Sequence, residues 1–329
     1  DRSILVSRDA SALTGSVSVD LGFPSAGVLL PSRLNDTTDL KSFTQELRLS
    51  SSGKGPLQWL VGAFYADTDR TYHQRLPTPG YDAYTNATLG AGTVAATANG
   101  FGPDSPYNAD LPYKLKQTAL FGEVSYDITN QLTATAGGRY YDYKEERRFT
   151  SGGLFSDGNN QFDSTKSNGF NPRLLFAYKA SDSVTLNAQA ARGFRLGGVN
   201  DPLNVPLCTL ADRAVFGGYQ RFSDESLWNY EAGMKMQTRG LSFNAATFYT
   251  QMKDLQVTLD AGSCSSRVVF NVPKAHSAGV ELEMTLRPAD GLEFGLSGIA
   301  VKSVYDSTVV DGAGKVIGGI RDGNRLPSV

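Results

Sequence analysis

Three features of the sequence predict an all-β fold, a membrane-spanning antiparallel β-barrel of which about eleven strands are present. Short polar turns recur at similar intervals, paired strands of alternating polarity lie between them, and long irregular loops join each pair to the next. Short turns at one end of the strands and long loops at the other are typical of transmembrane barrels. The turns are centred near Thr129, Asp182, Arg239 and Asp290, at intervals of 53, 57 and 51 residues.

Alternation of apolar and polar residues locates the strands. From Leu132 to Tyr140 the even-numbered side chains are mostly apolar, whereas Thr133, Thr135 and Arg139 belong to the opposite face. A period of two predicts a strand, and none of these segments has helical periodicity. The same pattern predicts strands at 43–50, 59–66, 117–126, 173–179, 184–189, 228–236, 241–245, 280–286 and 292–296, and residues 16–21 are predicted to end another strand.

The two faces of the predicted strands differ as they do in a membrane barrel. Glu231, Glu281 and Glu283 lie opposite the bulky apolar face, as expected for a lumen filled with water or protein. A soluble sandwich produces the same alternation, but the aromatic residues form two belts, which favours the barrel. Beside the short turns lie Tyr126 and Tyr178, and toward the long loops lie Tyr140, Phe194, Trp228, Tyr230 and Tyr249.

The long connections are predicted to be extracellular loops because they are rich in Gly, Asn, Asp, Ser, Thr and Pro. Such loops are common places for ligand binding. Tyr81, Tyr84 and Tyr107 on the longest loop either stack on a ligand or fill a mobile loop, and the second interpretation is favoured. The connections are residues 69–112, 144–168, 197–223, 257–275 and 305–322.

Two cysteines, Cys208 and Cys264, fall in predicted loops on the same side of the sheet. A disulfide between adjacent outer loops forms readily in an oxidising envelope. Two unrelated free thiols are an equally weighted alternative, so the sequence leaves the pairing open.

Composition and charge exclude several classes of protein. The net charge of −2, with acids and bases interspersed, carries no basic field for nucleic acid. His73 and His276 are far apart and lack the spacing of metal ligands, and no G-x-S-x-G elbow occurs. The sequence therefore predicts no enzyme, no catalytic residue, no metal site and no cofactor.

Charged side chains on the predicted lumen face have two interpretations. They form acid–base pairs or a path for an anionic ligand, or they pair with neighbours for structural reasons, and structural pairing is favoured. The residues concerned are the carboxylates Glu281 and Glu283 and the cations Arg139, Arg173, Arg195 and Lys235.

Six segments together resemble the barrel of TonB-dependent outer-membrane receptors, a likeness that covers nearly the whole chain from Phe43 onward. They are WLVGAFY (59–65), NPRLLFAYK (171–179), ARGFRLGGVN (191–200), ESLWNYEAG (225–233), FYTQMKDLQV (248–257) and AGVELE (278–283). Each motif alone is weak, but their order and spacing are those of the family. The closing NRLPSV (324–329) resembles the start of the next strand.

The resemblance implies active uptake of a scarce nutrient, such as a ferric siderophore, haem, cobalamin or an oligosaccharide, driven by the TonB complex. In that scheme the ligand binds outer loops and an N-terminal plug, and the full-length protein is a monomer in contact with lipid of the bacterial outer membrane. Complete barrels of this class have about 22 strands. Residues 1–329 are therefore expected to be part of one barrel domain without its plug, and the substrate-binding residues are unknown.

Two other functions fit the same strands. A passive porin has an open lumen and no plug, and a non-transporting barrel serves adhesion or structure. A plug with a TonB box upstream of the barrel separates the first function from these two, and ion conductance of the full-length protein separates them from each other.

Overall fold

The computed structural model describes residues 2–156, 160–264 and 266–327, and within them eleven antiparallel strands form one sheet. Each strand pairs with the next one along the chain, except that two short strands in a loop pair only with each other. The main sheet contains β1 (Arg2–Asp9), β2 (Arg33–Ser50), β3 (Leu57–Arg75), β4 (Asn108–Asp127), β5 (Leu132–Gly152), β6 (Asn160–Ser181), β7 (Val184–Arg195), β10 (Glu225–Gln237), β11 (Leu241–Asp260), β12 (Arg267–Ala289) and β13 (Leu292–Tyr305), and the separate pair is β8 (Gly198–Val199) with β9 (Arg221–Phe222).

In the described part of the chain, five helices lie in the connections. Among the described residues, none of the helices has both the length and the hydropathy needed to cross a membrane. The helices are α1 (Ser11–Asp20), α2 (Ser25–Val28), α3 (Tyr81–Leu89), α4 (Thr93–Thr97) and α5 (Leu210–Phe216), and single 3-10 turns occur at Val205–Leu207 and Gly262–Cys264.

The four predicted short turns are confirmed, and all lie at one end of the sheet together with the turn at 51–56. Local side chains explain two of them. The Thr129 hydroxyl accepts hydrogen bonds from the backbone N–H groups of Gln131 and Leu132, at 3.1 and 2.9 Å. Thr238 accepts in the same way from Leu241 at 3.2 Å. Such hydroxyl-to-backbone bonds favour a turn over continued strand.

The strands are longer than alternation predicts, so several predicted loops were too long. In place of the predicted loop 257–275, β11 continues to Asp260 and β12 begins at Arg267. The predicted loop 69–112 shrinks to 76–107, and in place of the predicted loop 144–168, β5 continues to Gly152 and β6 begins at Asn160. Toward the loops the strands carry charged residues. The alternation of apolar and polar residues is lost there, but the hydrogen-bonded pairing of the strands continues. Cross-strand ion pairs occur there, such as Lys114 with Asp69 at 3.3 Å.

The prediction of a strand end at 16–21 was wrong, because these residues lie in and just beyond helix α1. Ser18 donates a hydrogen bond from its hydroxyl to the Thr14 carbonyl at 2.7 Å, and both residues are buried. Strand β1, which the sequence did not predict, pairs with β2 instead. The paired residues run from Asp9 opposite Arg33 to Arg2 opposite Leu40. The sheet therefore has the expected number of about eleven strands, although one predicted strand is replaced by β1.

The sheet has one apolar and one polar face, and it does not close on itself, because β1 and β13 are its two edges in the described part of the chain. On β3, for example, Trp59, Val61 and Tyr65 are exposed, whereas Leu60 and Phe64 point to the other face and are partly covered. The apolar face carries a band of exposed aliphatic and aromatic residues. They include Leu47, Leu49, Leu120, Val124, Phe170, Leu174, Phe176, Leu186, Val280, Leu282, Phe294 and Leu296.

Aromatic residues border this apolar band nearly as predicted. Near the turns Tyr126 and Tyr178 are exposed, and toward the loops Tyr140, Trp228, Tyr230 and Tyr249 are exposed. Phe194 is the exception. It stacks on Tyr141 with ring centroids 3.8 Å apart and belongs to a partly buried cluster, so its assignment to the outer belt was wrong.

Candidate ligand-binding site

All five helices and the longer connections lie at the end of the sheet opposite the short turns. This end, which we call the loop end, consists of residues 10–32, 76–107, 153–156, 196–224, 261–264, 266 and 306–327. The connections fold over one another and build two small apolar cores of their own. They are therefore an ordered surface and a candidate ligand-binding region.

Tyr81 is the centre of the first loop core. The side chain is 1% exposed, its hydroxyl lies 3.1 Å from the Ser18 hydroxyl, and its ring contacts Phe23 and Phe155 at centroid distances of 5.2 and 5.8 Å. Burial raises the pKa of Tyr81 to about 12. Three connections meet at this ring, so Tyr81 is neither mobile filler nor free to stack on a ligand, in contrast to both interpretations of the sequence.

The second loop core joins three other connections. Phe216 of α5 packs with Phe270 and Val268 of β12 and with Ile317 and Ile320, which follow β13. Ile320 and Val268 are 0% and 1% exposed. Because these residues come from separate segments, the core holds those segments in one arrangement.

Cys264 is a buried member of the second loop core, Cys208 packs against that core, and the structure joins the two cysteines in a disulfide with Cα atoms 4.2 Å apart. A polar clamp runs alongside. The Asp212 carboxylate accepts hydrogen bonds from the Ser263 N–H at 2.9 Å, the Ser263 hydroxyl at 2.6 Å and the Thr209 hydroxyl at 3.0 Å. These bonds, with the Ser263 hydroxyl contributing most, hold the pKa of Asp212 below its usual value. The pairing of the cysteines in the cell stays a prediction.

Asp224 ties the connection 196–224 to the polar face of the sheet. Its carboxylate accepts from the Tyr141 hydroxyl at 3.0 Å, from the Gly197 N–H at 2.7 Å and from the Ser167 hydroxyl. Tyr143 donates its hydroxyl to the Gly197 carbonyl at 2.6 Å. The alternation of the sequence did not indicate these contacts of Asp224. An Asp that follows a Gly-rich loop is the feature of the sequence that could have indicated them.

A cavity of about 620 Å³ opens at the loop end between the upper parts of β5 and β6 and the connection 196–224. Arg147 donates to the Val199 carbonyl and pairs with Asp201 at 3.1 Å. Arg221 pairs with Asp163, while Arg148 lies over the Phe162 ring at 5.6 Å. In the part of the chain that the structure describes, Arg148 and Arg213 have no carboxylate within 4 Å. Four arginines and two carboxylates therefore line the cavity, which makes it electropositive.

The polar face carries a second, more open groove of about 480 Å³, which is acidic. Glu231, Glu281, Glu283 and Lys235 line it. Gln189 donates its amide to Glu231 at 3.2 Å, and the Asn244 amide lies 3.5 Å from Glu283. The structure thus places Glu281 and Glu283 on one face, as alternation predicted, and an amide lies beside Glu283.

Arginines of the polar face have structural partners. Arg173 pairs with Glu123 at 3.0 Å, and Arg139 lies over the rings of Phe64 and Phe121 at 4.9 and 5.7 Å. Arg195 is exposed at the end of β7, away from this pair. Arg139 and Arg173 line one open groove of the polar face, and Arg195 does not line it.

The two histidines each contact one carboxylate. His73 lies 2.6 Å from Asp110, and His276 lies 2.8 Å from Asp306. His276 lies within β12. Within residues 2–156, 160–264 and 266–327, no three His, Cys, Asp or Glu side chains are grouped so that they would hold a metal ion.

The family model for the β-barrel described as "TonB dependent receptor-like, beta-barrel" matches residues 8–329. The chain belongs to this family. TonB-dependent receptors are outer-membrane β-barrels that act in transport and are not enzymes, and the all-β fold and the resemblance of the sequence motifs are confirmed.

Curated relatives and solved structures agree with this TonB-dependent receptor assignment. The chain is 27% identical to the pesticin receptor of Yersinia pestis over 230 residues, which are 69% of this chain and 31% of the relative. The ferric yersiniabactin uptake receptor FyuA from Yersinia pestis superposes with a TM-score of 0.62 and 22% identity, over 83% of this chain and 37% of that structure. The copper transporter OprC superposes with a TM-score of 0.57 and 12% identity, over 84% and 39%.

The similarity of this TonB-dependent receptor barrel to its relatives covers only part of their length and, for the solved structures, only the fold. The chain spans about a third of the length of the curated relative, 31%, and the likeness to the solved structures shows the fold alone. FyuA and OprC are named for different cargoes, yet both superpose on this chain. The strands therefore do not decide the ligand, and the loop end has to be considered by itself.

Proposed function

We propose that this chain is part of the barrel of an outer-membrane receptor that takes up a scarce nutrient by TonB-dependent transport. The family match over residues 8–329 supports the proposal, and so does the apolar band bordered by tyrosines and tryptophan. Two open edges support a longer barrel domain, because unpaired strand edges are costly in lipid. The complete protein would be a monomer that meets the TonB complex through a plug.

The ligand we propose is an anionic metal chelate such as a ferric siderophore. The observation that carries this proposal is the electropositive cavity of about 620 Å³ at the loop end. Arginine recognises carboxylate and related oxygen anions with paired N–H groups. Arg213 supports the proposal best, since in the described residues no carboxylate lies within 4 Å of it and no aromatic ring covers it.

Uptake by the complete reading frame that carries this chain tests the proposal. Bacteria with and without that reading frame are grown in iron-poor medium and given siderophores loaded with radioactive iron. We expect uptake that needs both the reading frame and TonB. Uptake of radioactive copper instead, again dependent on TonB, would keep the transporter and overturn the siderophore.

The other two functions have their own outcomes. Steady ion conductance of the purified complete protein in planar bilayers, with no TonB-dependent uptake, would favour a passive porin. Absence of both conductance and uptake would favour a non-transporting barrel. Either result would overturn the proposed receptor function.

A single substitution tests the role of the cavity. Arg213→Gln removes a cavity cation, and we expect the apparent affinity for the chelate to fall about tenfold, because hydrogen bonds to charged groups contribute about 1.5–3 kcal/mol. Arg267→Gln is the matched control, since Arg267 is exposed nearby, pairs with Asp260 at 3.3 Å and does not line the cavity. Equal affinities for the two variants would remove the cavity from the binding site.

A further inference from the structure

Strand β6 has one unpaired side in its half toward the loop end. It pairs with β5 from its first residue, Asn160, to Tyr178. Its pairing with β7 on the other side reaches only Arg173. In the part of the chain that the structure describes, no other strand pairs with β6. We call the side of residues 160–172 that faces away from β5 the open edge.

A proline explains why the pairing with β7 ends at this position. Pro172 lies within the ladder of β5 and β6, opposite Gly138. Proline has no backbone N–H and is tolerated in a sheet where that group would face an unpaired side. The nitrogen of Pro172 therefore faces away from β5, and it cannot donate the next ladder bond toward β7.

Two contacts show which other backbone groups face the open edge. The Phe170 carbonyl accepts a hydrogen bond from the Arg192 side chain of β7 at 3.3 Å. The Ser164 N–H donates to the Asp163 carboxylate at 2.8 Å, so the ladder with β5 does not use it. In an antiparallel strand every second residue presents both its N–H and its C=O to the same side. The even-numbered residues of β6 therefore present their backbone groups to the open edge.

The open edge borders the electropositive cavity at the loop end. Gln161, Phe162 and Asp163 line this cavity together with residues of the connection 196–224. Phe162 is even-numbered and 59% exposed, so its N–H and C=O are available at the open edge. It lies opposite Arg148 of β5, a charge that fits water rather than lipid.

We propose that the open edge at Phe162 binds an extended amide segment of the transported chelate. The segment adds to β6 as a short further strand, a mode of recognition in which main-chain hydrogen bonds provide the affinity. Arg148 and Arg213, which line the same cavity, bind the anionic groups of the ligand. The inference rests on the proposed function and deepens it, since the ligand becomes an anionic metal chelate with a peptide-like segment.

A small ligand, rather than a strand of another protein, is the occupant that fits. The cavity of about 620 Å³ lies within the range of small-molecule sites, about 300–1,000 Å³. The next open-edge donor, the Ser164 N–H, is already bound to Asp163, and Arg221 holds that carboxylate in place. A long strand therefore cannot pair beyond Phe162, whereas one or two amide groups can.

Binding of two synthetic ferric chelates to the complete protein, purified in detergent, tests the ligand side. Both carry an anionic tricatecholate iron site and a linear tripeptide tail, and in one of them the amide nitrogens of the tail are methylated. Methylation removes the N–H that donates to the Phe162 carbonyl. We expect the methylated chelate to bind about fivefold more weakly, as for the loss of one hydrogen bond between neutral groups.

Proline substitutions test the protein side. Phe162→Pro removes the N–H at the open edge and leaves the bonds to β5 in place, whereas Phe162→Ala removes the side chain and keeps the N–H. We expect Phe162→Pro to bind the unmethylated chelate about fivefold more weakly than Phe162→Ala. Asn168→Pro is the matched control, because Asn168 is another even-numbered, exposed residue of β6 and does not line the cavity.

Several outcomes would overturn the amide site. Equal affinities of the two chelates for the wild-type protein would show that the tail does not pair with β6, and this comparison does not depend on the folding of a variant. Equal affinities of Phe162→Pro and Phe162→Ala would exclude the N–H of Phe162. Absence of binding by both chelates would exclude the ligand class.

A failure of the amide site is separable from a failure of the proposed function. TonB-dependent uptake of radioactive iron by cells reports the proposed function. A protein that supports this uptake but binds both chelates equally keeps the proposed function and loses the amide site. A protein that distinguishes the chelates but supports no uptake keeps the amide site and loses the proposed function.

Discussion

Tyr141 and Phe194 stack face to face, with ring centroids 3.8 Å apart and planes 3° from parallel. Tyr141 is 4% exposed and lies on the polar face of β5. Phe194 packs on Tyr141 and therefore does not lie in the predicted outer belt. The Tyr141 hydroxyl donates to Asp224, which closes the connection 196–224 over the sheet. The end of β7 is thus held by stacking on one side and by a partly buried carboxylate on the other.

Asp224→Ala is expected to loosen the connection 196–224, because it leaves the Tyr141 hydroxyl and the Gly197 N–H without their acceptor. A buried polar group without a partner costs about 1–3 kcal/mol. Limited proteolysis of the complete protein should show new cleavage in this connection, while the barrel keeps its heat-dependent mobility. Asp69→Ala, at an exposed strand position, is the control, and equal protection of both variants would contradict the role of Asp224.

Cys208 and Cys264 should yield one crosslinked peptide when the protein is digested without reduction and examined by mass spectrometry. A disulfide that closes a loop of this length stabilises a protein by about 2–4 kcal/mol in most cases. Reduction, or Cys208→Ser with Cys264→Ser, should speed proteolysis between 196 and 224. Two free thiols in the unreduced protein would contradict the pairing.

The clamp at Asp212 should weaken in acid. Hydrogen bonds from Ser263 and Thr209 lower the pKa of Asp212 in the folded protein, so the clamp contributes stability above the ordinary pKa of aspartate. That contribution is lost as the pH falls through the lowered pKa. Hydrogen exchange of the Ser263 amide, corrected for intrinsic rates, should therefore become faster at acidic pH. The measurement uses protein in which the disulfide has been reduced. Asp212→Asn should remove this pH dependence, and persistence of the dependence in that variant would assign it to another group.

Tyr81→Phe and Tyr81→Ala should separate the hydroxyl from the ring. Loss of the hydrogen bond to Ser18 costs about 1 kcal/mol. Loss of the whole ring from the first loop core costs about 3–5 kcal/mol. Proteolysis in 76–107 should increase strongly for Tyr81→Ala and little for Tyr81→Phe. Equal protection of both variants would show that the loop core does not depend on this ring.

Alternation predicted ten strands of the main sheet but not their ends. In the middle of each strand one face is apolar and the other polar, so Leu132–Tyr140 was recognisable. Beyond Lys144 the residues of β5 are charged, polar or Gly except for Phe149, and the backbone ladder continues without that signal. Strand β1 carries apolar Ile4, Leu5 and Val6 in succession, which gives no period of two, so only its pairing with β2 identifies it.

The sequence by itself determined the family, the order of the strands, the four short turns and the two faces of the sheet. These properties depend on local chemistry, namely the period of two along a strand and the hydrogen bonds of turn residues such as Thr129. Only the tertiary structure decided that Tyr81 is buried, that Phe194 turns onto Tyr141 and that Cys208 lies beside Cys264. Each of these depends on the register between strands or on the packing of distant connections, and residues that are far apart in the chain acquire such relations only when the sheet forms.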